Sequence, residues 1–280
     1  MQIFETTLEI QNFLESYKLH HSIGFVPTMG ALHRGHTTLI EQSKKENDIT
    51  VCSIFVNPIQ FNNQDDLLKY PRTLNEDIKA LEDVGCDVLF YPSVEEMYPF
   101  PDVTQYNFGN LEKVMEGKFR PGHFRGVAVV VRRLFEIIRP DKSYFGKKDF
   151  QQLKIVESLV HQYQLSPKII GCEIVRESDG LAMSSRNARL NELQRAEVPL
   201  IYKTLKEASL MAKELNVVTL KEEVCNKINS NSQMKVEYFE IADSESLESI
   251  QFWNQSANPM GFIVVNVGDI RLIDNINFIL

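Results

Sequence analysis

The chain has 280 residues, 43% hydrophobic and 24% charged, long enough to build a substantial core in one or two domains. Acidic residues outnumber basic ones, 38 to 30, for a formal net charge of −8, and no basic stripe interleaves with aromatics, which argues against a nucleic-acid partner. No stretch approaches the ~18 apolar residues of a membrane span, the N-terminus lacks the basic and apolar regions of a signal peptide, and the cysteines lie far apart with no C-x-x-C pair, so reduced thiols, a cytoplasmic location and no membrane contact are expected.

Residues 22–26, Ser-Ile-Gly-Phe-Val, form a short apolar run that reads as a buried strand. It leads directly into residues 27–36, Pro-Thr-Met-Gly-Ala-Leu-His-Arg-Gly-His. His33 and His36, at i and i+3, share one face of a helix, and Gly30 and Gly35 let backbone approach a ligand closely. The helix N-terminus adds unpaired N–H groups and a positive dipole. Together these features describe a place to hold phosphates; the plainer alternative is two surface histidines on a helix.

Further strands are predicted near 50–56, 87–91, 143–145 and 169–175, with helices at about 36–46, 73–84, 124–138 and 150–163. This βαβα order predicts an α/β fold, a doubly wound parallel sheet of Rossmann-like type, whose ligands gather beyond the carboxyl ends of the strands. Residues 29–36, 57–61 and 146–152 all fall at such ends. After Asp179-Gly180 the pattern changes: a long helix over 191–215, another over 219–228, then strands at 236–242, 262–267 and 271–274, with Gly268-Asp269 as a hairpin turn. A boundary is expected between 176 and 188, giving a nucleotide-type domain over 1–177 and a smaller C-terminal α+β lid over 178–280.

A site that works at phosphorus needs positive charge and directed donors more than covalent help. His33, His36, Lys148, Ser184, Ser185 and Arg186 supply them. Lys147-Lys148 alone would read as a solvated pair, but it stands between a strand-end Gly146 and Asp149. The two serines also read as a helix N-cap, and Gln60 and Gln152 taken alone read as surface polar residues.

Six ordered segments give a more specific result. They are 27–36; 54–61, Ile-Phe-Val-Asn-Pro-Ile-Gln-Phe; 117–127, Gly-Lys-Phe-Arg-Pro-Gly-His-Phe-Arg-Gly-Val; 144–152, Tyr-Phe-Gly-Lys-Lys-Asp-Phe-Gln-Gln; 176–187, Arg-Glu-Ser-Asp-Gly-Leu-Ala-Met-Ser-Ser-Arg-Asn; and 271–275, Arg-Leu-Ile-Asp-Asn. In this order they resemble the pantothenate synthetase (pantoate–β-alanine ligase) family of the nucleotidyltransferase superfamily, over essentially the whole chain. The resemblance implies ATP-dependent condensation of pantoate with β-alanine through a pantoyl adenylate, releasing AMP and pyrophosphate.

It carries ATP binding onto Met29, Gly30, His33, His36, Gly146, Lys148, Asp149, Val175, Met183, Ser184, Ser185 and Arg186, and catalysis onto His36, His33, Lys148 and Arg186. His36 is implied as a proton donor, Lys148 at the α-phosphate and Asp149 on the ribose. Pantoate and β-alanine fall to Gln60, Gln152, Met29 and Pro27, with Phe61 and Phe145 as further apolar walls. Mg²⁺ is implied through the ATP phosphates with no protein metal ligand, and a homodimer is implied with the first domain at its interface. Val129, Arg133 and Lys147 stand where the family pattern has threonine, lysine and an acid; the lysine raises local positive charge. Arg120 and His123 receive no role. The rival readings are a nucleotidyltransferase of another small acceptor and a non-catalytic nucleotide-binding protein. A class I tRNA synthetase is disfavoured by the acidic balance and the lack of room for an anticodon-reading domain.

Overall fold

Neighbouring residues of the first long strand face opposite sides of the sheet, and both sides are apolar: Phe25 and Val26 are each fully buried, in different clusters. A strand buried on both faces belongs to a parallel sheet covered by helices on two sides, and the computed structural model, which describes residues 1–62 and 64–279, shows that architecture.

The first part of the chain runs β1 (Gln2–Phe4), α1 (Thr7–Glu15), β2 (Ile23–Thr28), α2 (Arg34–Glu46), β3 (Ile49–Ile54), α3 (Gln64–Lys69), α4 (Leu74–Asp83), β4 (Val88–Phe90), α5 (Val94–Met97), α6 (Met115–Phe119), α7 (His123–Ile138), β5 (Lys142–Gly146), α8 (Phe150–Tyr163) and β6 (Lys168–Cys172). The strands form one sheet in the order β1-β4-β3-β2-β5-β6, and all pairings are parallel. Helices α1, α7 and α8 pack on the face that carries Phe25, Val51 and Phe90. Helices α2 and α4 pack on the face of Val26, Cys52 and Leu89. The order reverses between β2 and β5, which opens a crevice beyond their carboxyl ends. Gly24 is needed in β2 because a Cβ there would stand 2.1 Å from the Ser43 hydroxyl of α2, so the helix lies directly on the strand.

The remainder comprises α9 (Glu192–Glu197), α10 (Leu200–Met211), α11 (Val217–Asn229), β7 (Met234–Asp243), β8 (Pro259–Val267) and β9 (Ile270–Asn277). The three strands form an antiparallel sheet, β7-β8-β9, with its own core against α10 and α11. Gly268, with φ +61°, opens the two-residue loop between β8 and β9, as a type II′ hairpin requires.

The structure departs from the expectations at several points, among them the strand expected over 50–56, which ends at Ile54. The single helix over 191–215 is two, α9 and α10, separated at Val198-Pro199, because proline brings no N–H and clashes with the preceding turn. The strand expected to reach 175 ends at Cys172. β1 and α1 had no counterpart in the sequence reading; three residues carry too little alternation, and β1 forms because β4 offers an edge.

Candidate functional site

The crevice between β2 and β5 holds a cleft of about 180 Å³. It is lined by Pro27, Met29, His33, His36, Gln60, Lys148, Asp149, Gln152, Ser184, Ser185 and Arg186, together with Phe55, Asn57, Tyr70, Phe145 and the α7 residues Val127, Val130, Val131 and Leu134. Gly30, Gly146, Val175 and Met183 do not line it. Gly30 shapes the 29–33 loop, Gly146 closes β5, and Met183 donates its N–H to Val175 O at 3.0 Å beside the start of α2. Phe61 does not form a wall; it packs edge-on against Tyr70, 5.8 Å between centroids, and Tyr70 takes the place at the cleft.

Two histidines cap α2 reciprocally. His33 is the N-cap; its Nδ1 accepts from Gly35 N–H at 3.1 Å, and Nδ1 of His36 accepts from His33 N–H at 3.3 Å. The rings lie 4.0 Å apart between centroids. With both Nδ1 atoms used as acceptors, the proton of each neutral ring sits on Nε2. Burial, reinforced by the Lys148 charge, pushes His33 down from 6.5 to about 4. Burial, then the neighbouring His33 and Lys148, hold His36 well below 6.5. At neutral pH the pair therefore presents two uncharged Nε2–H donors. Gly35 makes this possible, since a Cβ there would lie 2.8 Å from His33 Cε1.

The loop before α2 is shaped by Asp77 of α4, a buried carboxylate that accepts from Ala31 N–H at 2.9 Å and Leu32 N–H at 2.7 Å. Gly30 and Ala31 both have positive φ, +78° and +50°, a conformation that costs a non-glycine residue about 1 kcal/mol or more and persists here under the Asp77 clamp. The sequence reading missed Asp77, yet a signal existed: it lies on the apolar stripe of Leu74, Ile78 and Leu81, where a lone acid needs an explanation.

On the other side of the cleft, Gln60 Oε1 accepts from Asn57 Nδ2 at 3.1 Å, and Asn57 is itself fixed by Tyr98 Oη at 2.8 Å and by donation to Gly126 O at 3.1 Å. Gly126 is small of necessity, because a Cβ would meet Gln60 Cα at 2.5 Å. His123 now has a structural place. Its Nδ1–H donates to Gln60 O at 2.9 Å and its Nε2 accepts from Arg120 at 3.2 Å; burial and the Arg120 charge push it to about 4. Of two adjacent glutamines, Gln151 is turned into the fold, accepting from Glu116 N–H at 3.0 Å, whereas Gln152 faces the cleft.

Lys148 Nζ stands 3.5 Å from Asp149 Oδ2. Lys147 is paired with Glu173 and lies outside the cleft lining, so the extra positive charge expected there is neutralised away from the site. From the second half of the chain, Ser184 caps the turn Ser185–Arg189 by accepting from Arg186 N–H at 3.3 Å, and Ser185 donates to Ala31 O at 3.0 Å. Arg186 reaches Asp66 at 3.0 Å. The cap and the cleft position coexist, because Ser184 Oγ can accept from the backbone and still donate its proton.

The family model described as Pantoate-beta-alanine ligase matches residues 2–277. A pantothenate synthetase of Azobacteroides pseudotrichonymphae is 50% identical over 99% of this chain and 100% of its own, and one of Bacteroides fragilis is 48% identical over 99% of each. Among solved structures, pantothenate synthetase from Thermus thermophilus superposes with a TM-score of 0.92 at 38% identity, covering 99% of both chains. A pantoate–β-alanine ligase from Francisella tularensis, complexed with beta-gamma ATP and β-alanine, gives a TM-score of 0.83 at 34% identity over 99% and 97%. With the family model spanning nearly its whole length and relatives near half identity, the chain belongs to the pantoate–β-alanine ligase family.

Proposed function

We propose that this ligase joins pantoate to β-alanine in two steps within the β2/β5 cleft, with ATP converted to AMP and pyrophosphate. The observation that carries the reading is the meeting of two chemically different halves in one cavity. Neutral N–H donors, hydroxyls and cations (His33, His36, Ser184, Ser185, Lys148, Arg186) line it together with two amides, Gln60 and Gln152, and the apolar Val130, Val131, Leu134 and Phe145. The first half suits a triphosphate. The second suits a small hydroxylated acid with an aliphatic body. The ATP and β-alanine of the Francisella relative's complex support the same substrates.

In the first step a pantoate carboxylate oxygen attacks the α-phosphorus, the bond to the bridging oxygen breaks, and pyrophosphate leaves. The carboxylate is already ionised and needs no base. His33 and His36 act by donating Nε2–H to phosphate oxygens; with Nδ1 committed to backbone, neither keeps a lone pair for proton abstraction. Lys148 balances charge growing at the α-phosphate, Arg186 and the serines hold the outgoing phosphates, and Asp149 takes the ribose. Val175 and Met183 flank the nucleotide side with Gly30 and Gly146. In the second step the β-alanine amine attacks the activated carbonyl and AMP departs.

Among the described residues no group of three or more His, Cys, Asp or Glu is placed to hold a metal, and the one acidic side chain lining the cleft is Asp149. This donor set fits Mg²⁺ that arrives on phosphate oxygens, where it would neutralise charge on the leaving pyrophosphate. The proposal assigns residues 1–177 to nucleotide and pantoate binding and 178–280 to a lid, in a cytoplasmic homodimer. Among the described residues no helix is long and apolar enough to cross a membrane.

Labelled pyrophosphate should exchange into ATP with pantoate and Mg²⁺ present and β-alanine absent, and oxygen label from the pantoate carboxylate should appear in AMP. Release of ADP with label in inorganic phosphate would replace the adenylate with an acyl phosphate and overturn the reading.

A further inference from the structure

We propose that Asn275 of β9 is a positioning residue for Lys148, acting on the backbone of the turn that carries it; the proposal rests on Lys148 facing the α-phosphate as above. Asn275 is buried, and its Nδ2 donates to two successive carbonyls, Lys147 O at 2.8 Å and Lys148 O at 3.0 Å. Carbonyls only accept, so the amide nitrogen must point at them. Both of its hydrogens are then used on adjacent peptide planes, which fixes one plane against the other. Neither Gly146 nor Asp149 caps this turn or α8 with a side chain. The turn is held from the second sheet instead.

The holder is itself fixed. Asn275 N–H donates to Asp274 Oδ1 at 2.8 Å, and Asp274 accepts both arms of Arg176 at 2.6 and 2.9 Å. The Arg176 guanidinium lies over the Tyr202 ring, 3.7 Å from its centroid. Asn275 thus sits on a frame tied to α10. A lysine ammonium at the end of its stem magnifies errors at the backbone: a tilt of roughly 10° in the turn moves it by roughly 1 Å, a displacement that costs on the order of 10²-fold in rate.

The test is a double-mutant cycle of Asn275→Ala and Lys148→Ala on the full-length protein, read by pyrophosphate exchange, steady-state constants and Tm. Asn275→Ala should lower kcat and exchange by about 10- to 100-fold while the KM values for ATP and pantoate stay within a few-fold. Lys148→Ala should lose about 10²–10³. Adding Asn275→Ala to Lys148→Ala should cost no more than about twofold further, since there is no ammonium left to place. A merely structural role would take the same factor from both backgrounds, and that result overturns the proposal while leaving Lys148 in place. Near-wild-type exchange from Lys148→Ala overturns the Lys148 reading and this proposal with it. If Asn275→Ala does not fold, Asn275→Gln, which keeps the amide one methylene further out, is taken through the same cycle with the same criterion.

Discussion

Replacing Gly35 with alanine separates stability from rate. A Cβ at position 35 would lie 2.8 Å from His33 Cε1 and 2.9 Å from its Nδ1, so the imidazole must leave its place, and the 3.1 Å bond it accepts from Gly35 N–H is lost. Losing the cap costs about 1 kcal/mol. The ring is only partly buried and can swing outward, which avoids most of the overpacking cost of about 1–3 kcal/mol. Alanine in the first turn of a helix returns about 0.5–1 kcal/mol relative to glycine. The net change should stay within about 1 kcal/mol, a Tm shift of about 2–4 °C for a chain of this size. The rate should behave otherwise: a displaced His33 takes an N–H donor from the phosphates, a loss of about 10²–10³. Pyrophosphate exchange with pantoate, measured beside thermal unfolding, reads both quantities. Exchange within about threefold of the unsubstituted protein, against the expected loss of a whole donor, would refute the reasoning.

Alanine at His33 or His36 should lower kcat by on the order of 10²–10³ with the fold retained; unchanged turnover in both would remove the histidines from the phosphate site. Gln60→Ala and Gln152→Ala should each weaken pantoate use by about 1–3 kcal/mol with ATP affinity within a few-fold, and a collapse of ATP binding with intact pantoate KM would mean that the two halves of the cleft are exchanged. Asp77→Ala leaves two partly buried N–H groups without their acceptor and should cost about 1–2 kcal/mol and raise the KM for ATP; a Tm and KM like those of the parent would count against the clamp. Stability should fall between pH 6.5 and about 4: His33 and His123 stay neutral in the fold until about 4, while the unfolded chain takes up protons near 6.5. The unfolded state binds more protons in that window, so unfolding free energy drops as pH falls, by about 3 kcal/mol per histidine. Urea midpoints across this range should show a shallower slope in His33→Ala, and an identical slope would contradict the depressed value.

Much of the fold was legible because the relevant signals are local. Apolar runs of strand length alternating with helical stripes pointed to a doubly wound sheet, and the bounds expected for α8 are those observed. The His-x-Gly-His pattern is a contact within a single turn: His33, Gly35 and His36 meet whatever else the chain does. Pro199 was also visible, and it splits the helix expected over 191–215 by the ordinary rule for proline. The tertiary structure alone decided what reaches across the chain. Asp77 meets residues 45 and 46 positions away, His123 supports Gln60 from 63 positions away, and Asn275 holds Lys148 from 127 positions away. Side-chain periodicity specifies which face of an element is buried, but not how one sheet is set against another. These hydrogen bonds exist only after that placement is made, and they convert a cluster of promising residue types into donors aimed at one cleft.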